Sequence, residues 1–154
     1  MGKDRLDTIS KRNHHAAREM ETLLWRALTD SPEAAKEYLA DDCIMISPLF
    51  AGGSDEPMTR SGDGDKDPNI DKALEEAAGE RWTGFRIHGD PLVVEIDLMA
   101  VALVYKVSLF RSAGRKGGSE EVVATCSSAW RQTAGADWFV CAHHCQFSSE
   151  EEEE

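Results

Sequence analysis

The segment Cys141-Ala-His143-His144-Cys145 sets two thiols and two imidazoles side by side, the densest group of chemistry-capable side chains in the chain. An imidazole is the side chain whose ordinary pKa suits proton transfer at neutral pH, so His143 is the first candidate for acid–base work. If side chains alternate along a strand, Cys141, His143 and Cys145 share one face, and Cys126 on a neighbouring strand completes a Cys3His set on paper. Residues two apart in a strand stand about 7 Å apart, however, and three ligands in a row converge poorly on one tetrahedral ion. No metal is therefore expected, and the thiols read as small buried side chains. Gly52-Gly53 and Gly117-Gly118 match no phosphate-binding loop and read as turns, so no cofactor is expected either.

Composition narrows the classes of partner. The 154 residues suit one domain, and 41% hydrophobic with 30% charged residues is a folding composition. The formal net charge is -12, and setting aside the terminal Glu150 to Glu154 leaves -7. Nucleic-acid binding needs clustered cations, whereas the 17 Lys and Arg are scattered, with Lys11-Arg12 and Arg115-Lys116 the densest pairs. The longest apolar run, Leu98 to Tyr105, is too short to cross a bilayer, and residues 1–30 lack the apolar centre of a secretion signal. A cytoplasmic or nuclear protein with four reduced cysteines, Cys43, Cys126, Cys141 and Cys145, is the expectation.

These side chains are positioned by elements legible from apolar spacing. Leu6, Ile9, Ala16, Met20, Leu23, Leu24, Ala27 and Leu28 recur at threes and fours, which predicts a long helix from Arg5 to Asp30. Ser31-Pro32 restarts the pattern as a second helix with Ala34, Ala35, Tyr38 and Leu39 on its apolar side. Cys43 to Phe50 reads as a buried strand ended near Pro48, and Ala51 to Asn69 as a long Gly- and Pro-containing loop. A short helix follows from Ile70 to about Ala78. Strands are expected at Trp82 to His88, Leu92 to Ile96, Met99 to Phe110, Glu121 to Arg131 and Trp138 to Phe147, with short turns that favour antiparallel pairing. Residues 1–147 then form one α+β domain, and 148–154 a like-charge, disordered tail.

Two segments carry a resemblance. Tyr38-Leu-Ala-Asp-Asp42-Cys-Ile-Met-Ile-Ser-Pro48 resembles the helix-to-first-strand segment of the nuclear transport factor two-like superfamily, which includes ketosteroid isomerase, SnoaL-like polyketide cyclases and the association domain of calcium/calmodulin-dependent protein kinase II. Ala129-Trp130-Arg131 followed by Asp137-Trp138-Phe-Val-Cys-Ala-His-His144 resembles the last hairpin of that superfamily, closest to the kinase association domain. The resemblance implies a cone-shaped, curved antiparallel sheet wrapped around the long N-terminal helix, a cystatin-like roll with an open apolar pocket. It also implies a homodimer through the outer face of the sheet.

Alternation along the last strand places Phe139, Cys141, His143, Cys145 and Phe147 on one face and Trp138, Val140, Ala142, His144 and Gln146 on the other. Met45, Ser47, Tyr105, Cys126, Ser128, Cys141, His143 and Cys145 are the expected pocket residues. By similarity, Cys145, Tyr105 and Ser128 stand where the association domain carries pocket arginines, and Ser47 where ketosteroid isomerase carries its catalytic aspartate; a serine is no general base near neutral pH. The expected function is a dimeric, pocket-containing module that binds a small apolar ligand or serves in association. The alternative is a cofactor-free isomerase, cyclase or dehydratase with His143 and Tyr105 as proton-transfer groups.

Overall fold

A computed structural model describes residues 2–49, 54–63, 68–77, 82–112 and 118–148, and the side chains from residue 9 onward except that of Ser54. Helix α1 runs Gly2–Asp30. Its buried side is the stripe Ala17, Glu21, Leu24, Trp25 and Leu28, spaced as one helical face requires. Ser31 N–H closes the helix on the Ala27 carbonyl at 2.8 Å, and Pro32 opens the next segment. That segment, Pro32–Tyr38, is a short 3-10 helix, and Leu39 leaves it for the first strand. The expected second helix is thus tighter and shorter, because the chain must turn into the sheet within seven residues and i-to-i+3 bonds, such as Ala34 N–H to the Ser31 carbonyl at 2.7 Å, turn it faster.

The strands are β1 (Leu39–Ser47), β2 (Ser54–Thr59), β3 (Gly84–Ile87), β4 (Leu92–Asp97), β5 (Ala100–Ser112), β6 (Ser119–Gln132) and β7 (Trp138–Phe147), with helix α2 at Ile70–Ala77 before β3. Their order in the sheet is β2-β1-β7-β6-β5-β3, and β4 pairs with the other half of the same edge of β5. The sheet is curved and not closed. Every pair is antiparallel except β1 with β7, which is parallel, so the sheet is mixed. The first and last strands can lie in parallel because the whole chain between them serves as the crossover.

β2 lies inside the segment read as loop. Asp55, Glu56 and Pro57 are poor strand formers. They are tolerated because β2 is an edge strand, where a proline forfeits no ladder bond, while Met58 turns inward against Met45. The residues expected in the acidic tail fall almost wholly outside the described residues; Ser148, the last described, bonds its N–H to the Val123 carbonyl at 2.9 Å.

One irregularity decides which side chains of β7 face inward. Pairing with β6 runs from Ala124↔Phe147 to Ala129↔Ala142 and then jumps to Trp130↔Val140, leaving Cys141 as an extra residue. The bulge resets the alternation. Val140, His143 and Cys145 all point into the core, and His144 and Gln146 point out. The interior between sheet and α1 is filled by Leu24, Trp25 and Leu28 from the helix and by Met45, Leu103, Val107, Trp130 and Val140 from the strands, all under a twentieth exposed. Of the four tryptophans, Trp25, Trp82 and Trp130 are buried in this core.

Candidate functional site

A carboxylate sits at the centre of that interior. Glu21, on the apolar stripe of α1, has no solvent exposure, and its two oxygens accept hydrogen bonds from three strand-borne groups. Trp130 Nε1–H on β6 donates to Oε1 at 2.6 Å, and Ser128 Oγ–H, two residues earlier on β6, donates to Oε2 at 2.6 Å. Tyr105 O–H on β5 donates to the same Oε2 and itself accepts Trp25 Nε1–H at 2.6 Å. A buried carboxylate is tolerable only when its lone pairs are occupied in this way.

The network continues into β7. His143 Nδ1 lies 2.7 Å from Ser128 Oγ, and Nε2 lies 3.2 Å from Cys145 Sγ. Ser128 has one proton and gives it to Glu21, so Nδ1 must carry the proton on the imidazole side and donate to Oγ. Nε2 then accepts from the Cys145 thiol. The ring is neutral in this arrangement, although Nδ1 is 3.8 Å from Glu21 Oε2 and a protonated ring would gain an ion pair. Burial decides between the two, holding the His143 pKa below its ordinary 6.5 against the opposing pull of Glu21. Burial, and next the charge of Glu21, pushes the Tyr105 phenol well above 10. Burial and then Cys126, the cross-strand neighbour of Cys145, push the Cys145 thiol upward in the same sense.

Four of the expected site residues, Tyr105, Ser128, His143 and Cys145, therefore meet in one connected chain. Cys126 flanks it, paired with Cys145 in register. Met45 lies beside His143 across the β1–β7 pair. Ser47 is buried at the end of β1, and its Oγ has no hydrogen-bond partner among the described residues. Cys141, the extra residue of the bulge, donates its thiol to the Ala129 carbonyl instead, Sγ to O 3.4 Å. The missed member is Glu21. Its signal was a charged residue standing four after Ala17 and three before Leu24, squarely on the apolar stripe. Among the described residues no group of three His, Cys, Asp or Glu side chains is arranged to hold a metal ion.

The opposite face of the sheet is open. A groove of about 380 Å³ runs over β1, β7, β6 and β5, its outward side chains including Ile44, Ile46, Val104, Ala129, Ala142 and His144. Val104 is 50% and Ile44 54% exposed, and β4 extends the apolar surface with Leu92 at 72%, Val94 at 61% and Ile96 at 63%. Leu92 and Val94 sit directly opposite Val104 and Ala102, so these side chains form one continuous patch. No described helix is long and apolar enough to cross a membrane.

No protein-family model and no curated protein matches this sequence. Solved structures do match it. A nuclear transport factor 2 (NTF2-like) superfamily protein from Salmonella enterica serovar Typhimurium superposes with a TM-score of 0.66 at 8% identity, over 91% of this chain and 94% of that one. The association domain of CaMKII from C. elegans gives 0.66 at 17% identity over 91% and 98%, and a putative scytalone dehydratase from Novosphingobium aromaticivorans gives 0.67 at 12% over 92% and 88%. At these identities the likeness establishes the fold, an NTF2-like α+β cone.

Two outcomes are expected from the interior network. Glu21→Ala leaves Tyr105, Ser128 and Trp130 donating to nothing and should lower unfolding free energy by about 3–5 kcal/mol in urea denaturation. His143 has a depressed pKa when folded, so the unfolded chain binds the extra proton as pH falls below about 6.5. The stability that neutral His143 contributes is complete above that pH and is lost below it. Wild-type stability should therefore fall more steeply between pH 7 and 5 than that of His143→Gln, by at most about 1.4 kcal/mol per pH unit.

Proposed function

We propose that this chain is a self-associating module that pairs two copies through the outer face of its sheet. The observation that carries this reading is the division between the two faces: the interior is occupied by its own side chains, while the outer face presents a continuous apolar patch to water. Such a patch, larger than scattered exposed residues, marks a surface that is covered in use. It lies on the middle strands of the sheet, where two-fold pairing brings the same residues together from both copies and buries them at once. The similar C. elegans domain is described as an association domain, and a similar S. rosetta structure as a CaMKII hub. The pairing unit is the domain expected over residues 1–147.

Sedimentation should show a dimer at micromolar concentration, and Val104→Glu, a charge in the middle of the buried patch, should weaken pairing at least about a hundredfold. A folded wild-type monomer at all concentrations, with the groove instead occupied by a small apolar compound, would replace this reading with ligand binding.

A second reading is favoured by one observation. His143 is connected to Glu21 through Ser128, an oriented imidazole beside a phenol, Tyr105, which is the equipment of cofactor-free proton transfer. Similar folds include the putative scytalone dehydratase and a hexachlorocyclohexane dehydrochlorinase from Novosphingobium barchaimii. In that case the interior opens to admit a small ketone or hydroxylated substrate, and His143→Gln lowers turnover by about a hundredfold or more. Absence of turnover across a panel of such substrates would retire it.

A further inference from the structure

His144 occupies the centre of the outer face. β7 is flanked there by β1 on one side and by β6 and β5 on the other, and His144 pairs in register with Ile46 and Ser127. Among the described residues, the side chains around it offer no counter-charge. β1 presents Ile44 and Ile46, β2 presents Pro57, β6 presents Thr125, Ser127 and Ala129, and β5 presents Val104. Among the described residues the charged groups on this face stand further along it: Asp55 on β2, two before Pro57, Lys106 on β5, opposite Thr125, and the Arg131–Asp42 pair, closed at 2.6 Å, toward the other end of β6. Among the described residues no carboxylate lines the groove. Through the sheet lies His143, disfavoured as a cation by burial, against the opposing pull of Glu21, and further by His144.

We infer that His144 makes the pairing of two copies dependent on pH, firm at neutral pH and loosened by mild acid. This rests on the self-association proposed above. Pairing buries His144 among apolar side chains, so a proton on it is penalised by lost hydration. Imidazoles in water take up a proton near pH 6.5. The separated copies therefore bind more protons than the pair below that pH, and association weakens as pH falls. Two such groups per dimer, each excluded from the pair when protonated, weaken association up to about a hundredfold between pH 7.5 and 5.5.

Sedimentation of the full chain at pH 7.5 and 5.5 tests this, with near-ultraviolet circular dichroism confirming that the fold persists at the lower pH. His144→Gln keeps a polar side chain of similar size without a titrating ring, and His144→Leu removes polarity altogether. Dissociation of wild type at pH 5.5, with both variants equally dimeric at the two pH values, is the expected result. A wild-type dimer of equal affinity at both pH values overturns the role of His144 while leaving self-association standing, and so does a pH dependence retained in His144→Gln. A folded monomer at both pH values overturns self-association itself, and this inference with it.

Discussion

A carboxylate without solvent exposure, Glu21, is the constraint around which the rest of the molecule is arranged. Its burial is costly unless every lone pair finds a donor, and the donors come from three places in the sequence: Tyr105 on β5, and Ser128 and Trp130 on β6. Meeting that demand fixes the rotation of α1 about its axis and its height over the sheet, because a turn of one residue would carry the carboxylate about 100° away from all three. Apolar packing alone is more permissive; Leu24 and Leu28 would tolerate small slides that the hydrogen bonds do not. Ser128 extends the same constraint to His143, so that β7 is locked to helix, β5 and β6 by directional bonds as well as by contact.

The bulge at Cys141 is what lets β7 serve this network. Without the extra residue, strict alternation would put Val140 on the outside whenever His143 faces inward. With it, Val140 closes the core beside Trp130 while His143 and Cys145 still reach the polar chain. The strand thereby has two differently specialised halves, and the resulting outer sequence, Ala142, His144, Gln146, starts after the bulge in step with Ala129 and Ser127 of β6. That Val140 and His143, three residues apart, both face the core is the consequence of this single local insertion.

The same physics explains what was legible. Long elements, α1, β5 and β6, could be read because their patterns repeat over many residues and few local alternatives share them. β2 could not, since Asp55-Glu56-Pro57 looks like a turn and becomes strand only by lying at the edge beside β1. The bulge was invisible because Val140, Cys141 and Ala142 are all small and apolar, so neither face of the strand was marked by hydrophobicity. Tyr105, Ser128, His143 and Cys145 lie on neighbouring strands, so strand order and alternation are enough to bring them to one face. Glu21 was missed, because a lone charge within an amphipathic stripe is ordinarily set aside as an imperfection. Its partners are more than 80 residues distant in sequence.

The two adjacent histidines show how far one strand can separate two environments. His143 is kept neutral inside by burial, with its Nδ1 proton committed to Ser128 and its Nε2 receiving the Cys145 thiol, so both ring nitrogens are occupied. For proton transfer to a substrate one of those bonds must be given up and the interior must part to admit it. His144, one residue later, faces open water across an apolar groove and needs no rearrangement to respond to its surroundings. Of the two faces, the outer one leaves its apolar side chains uncovered, whereas the inner one is filled by its own side chains. This asymmetry is why association through the sheet, with the buried chain holding that sheet rigid beneath it, is the function the geometry supports best.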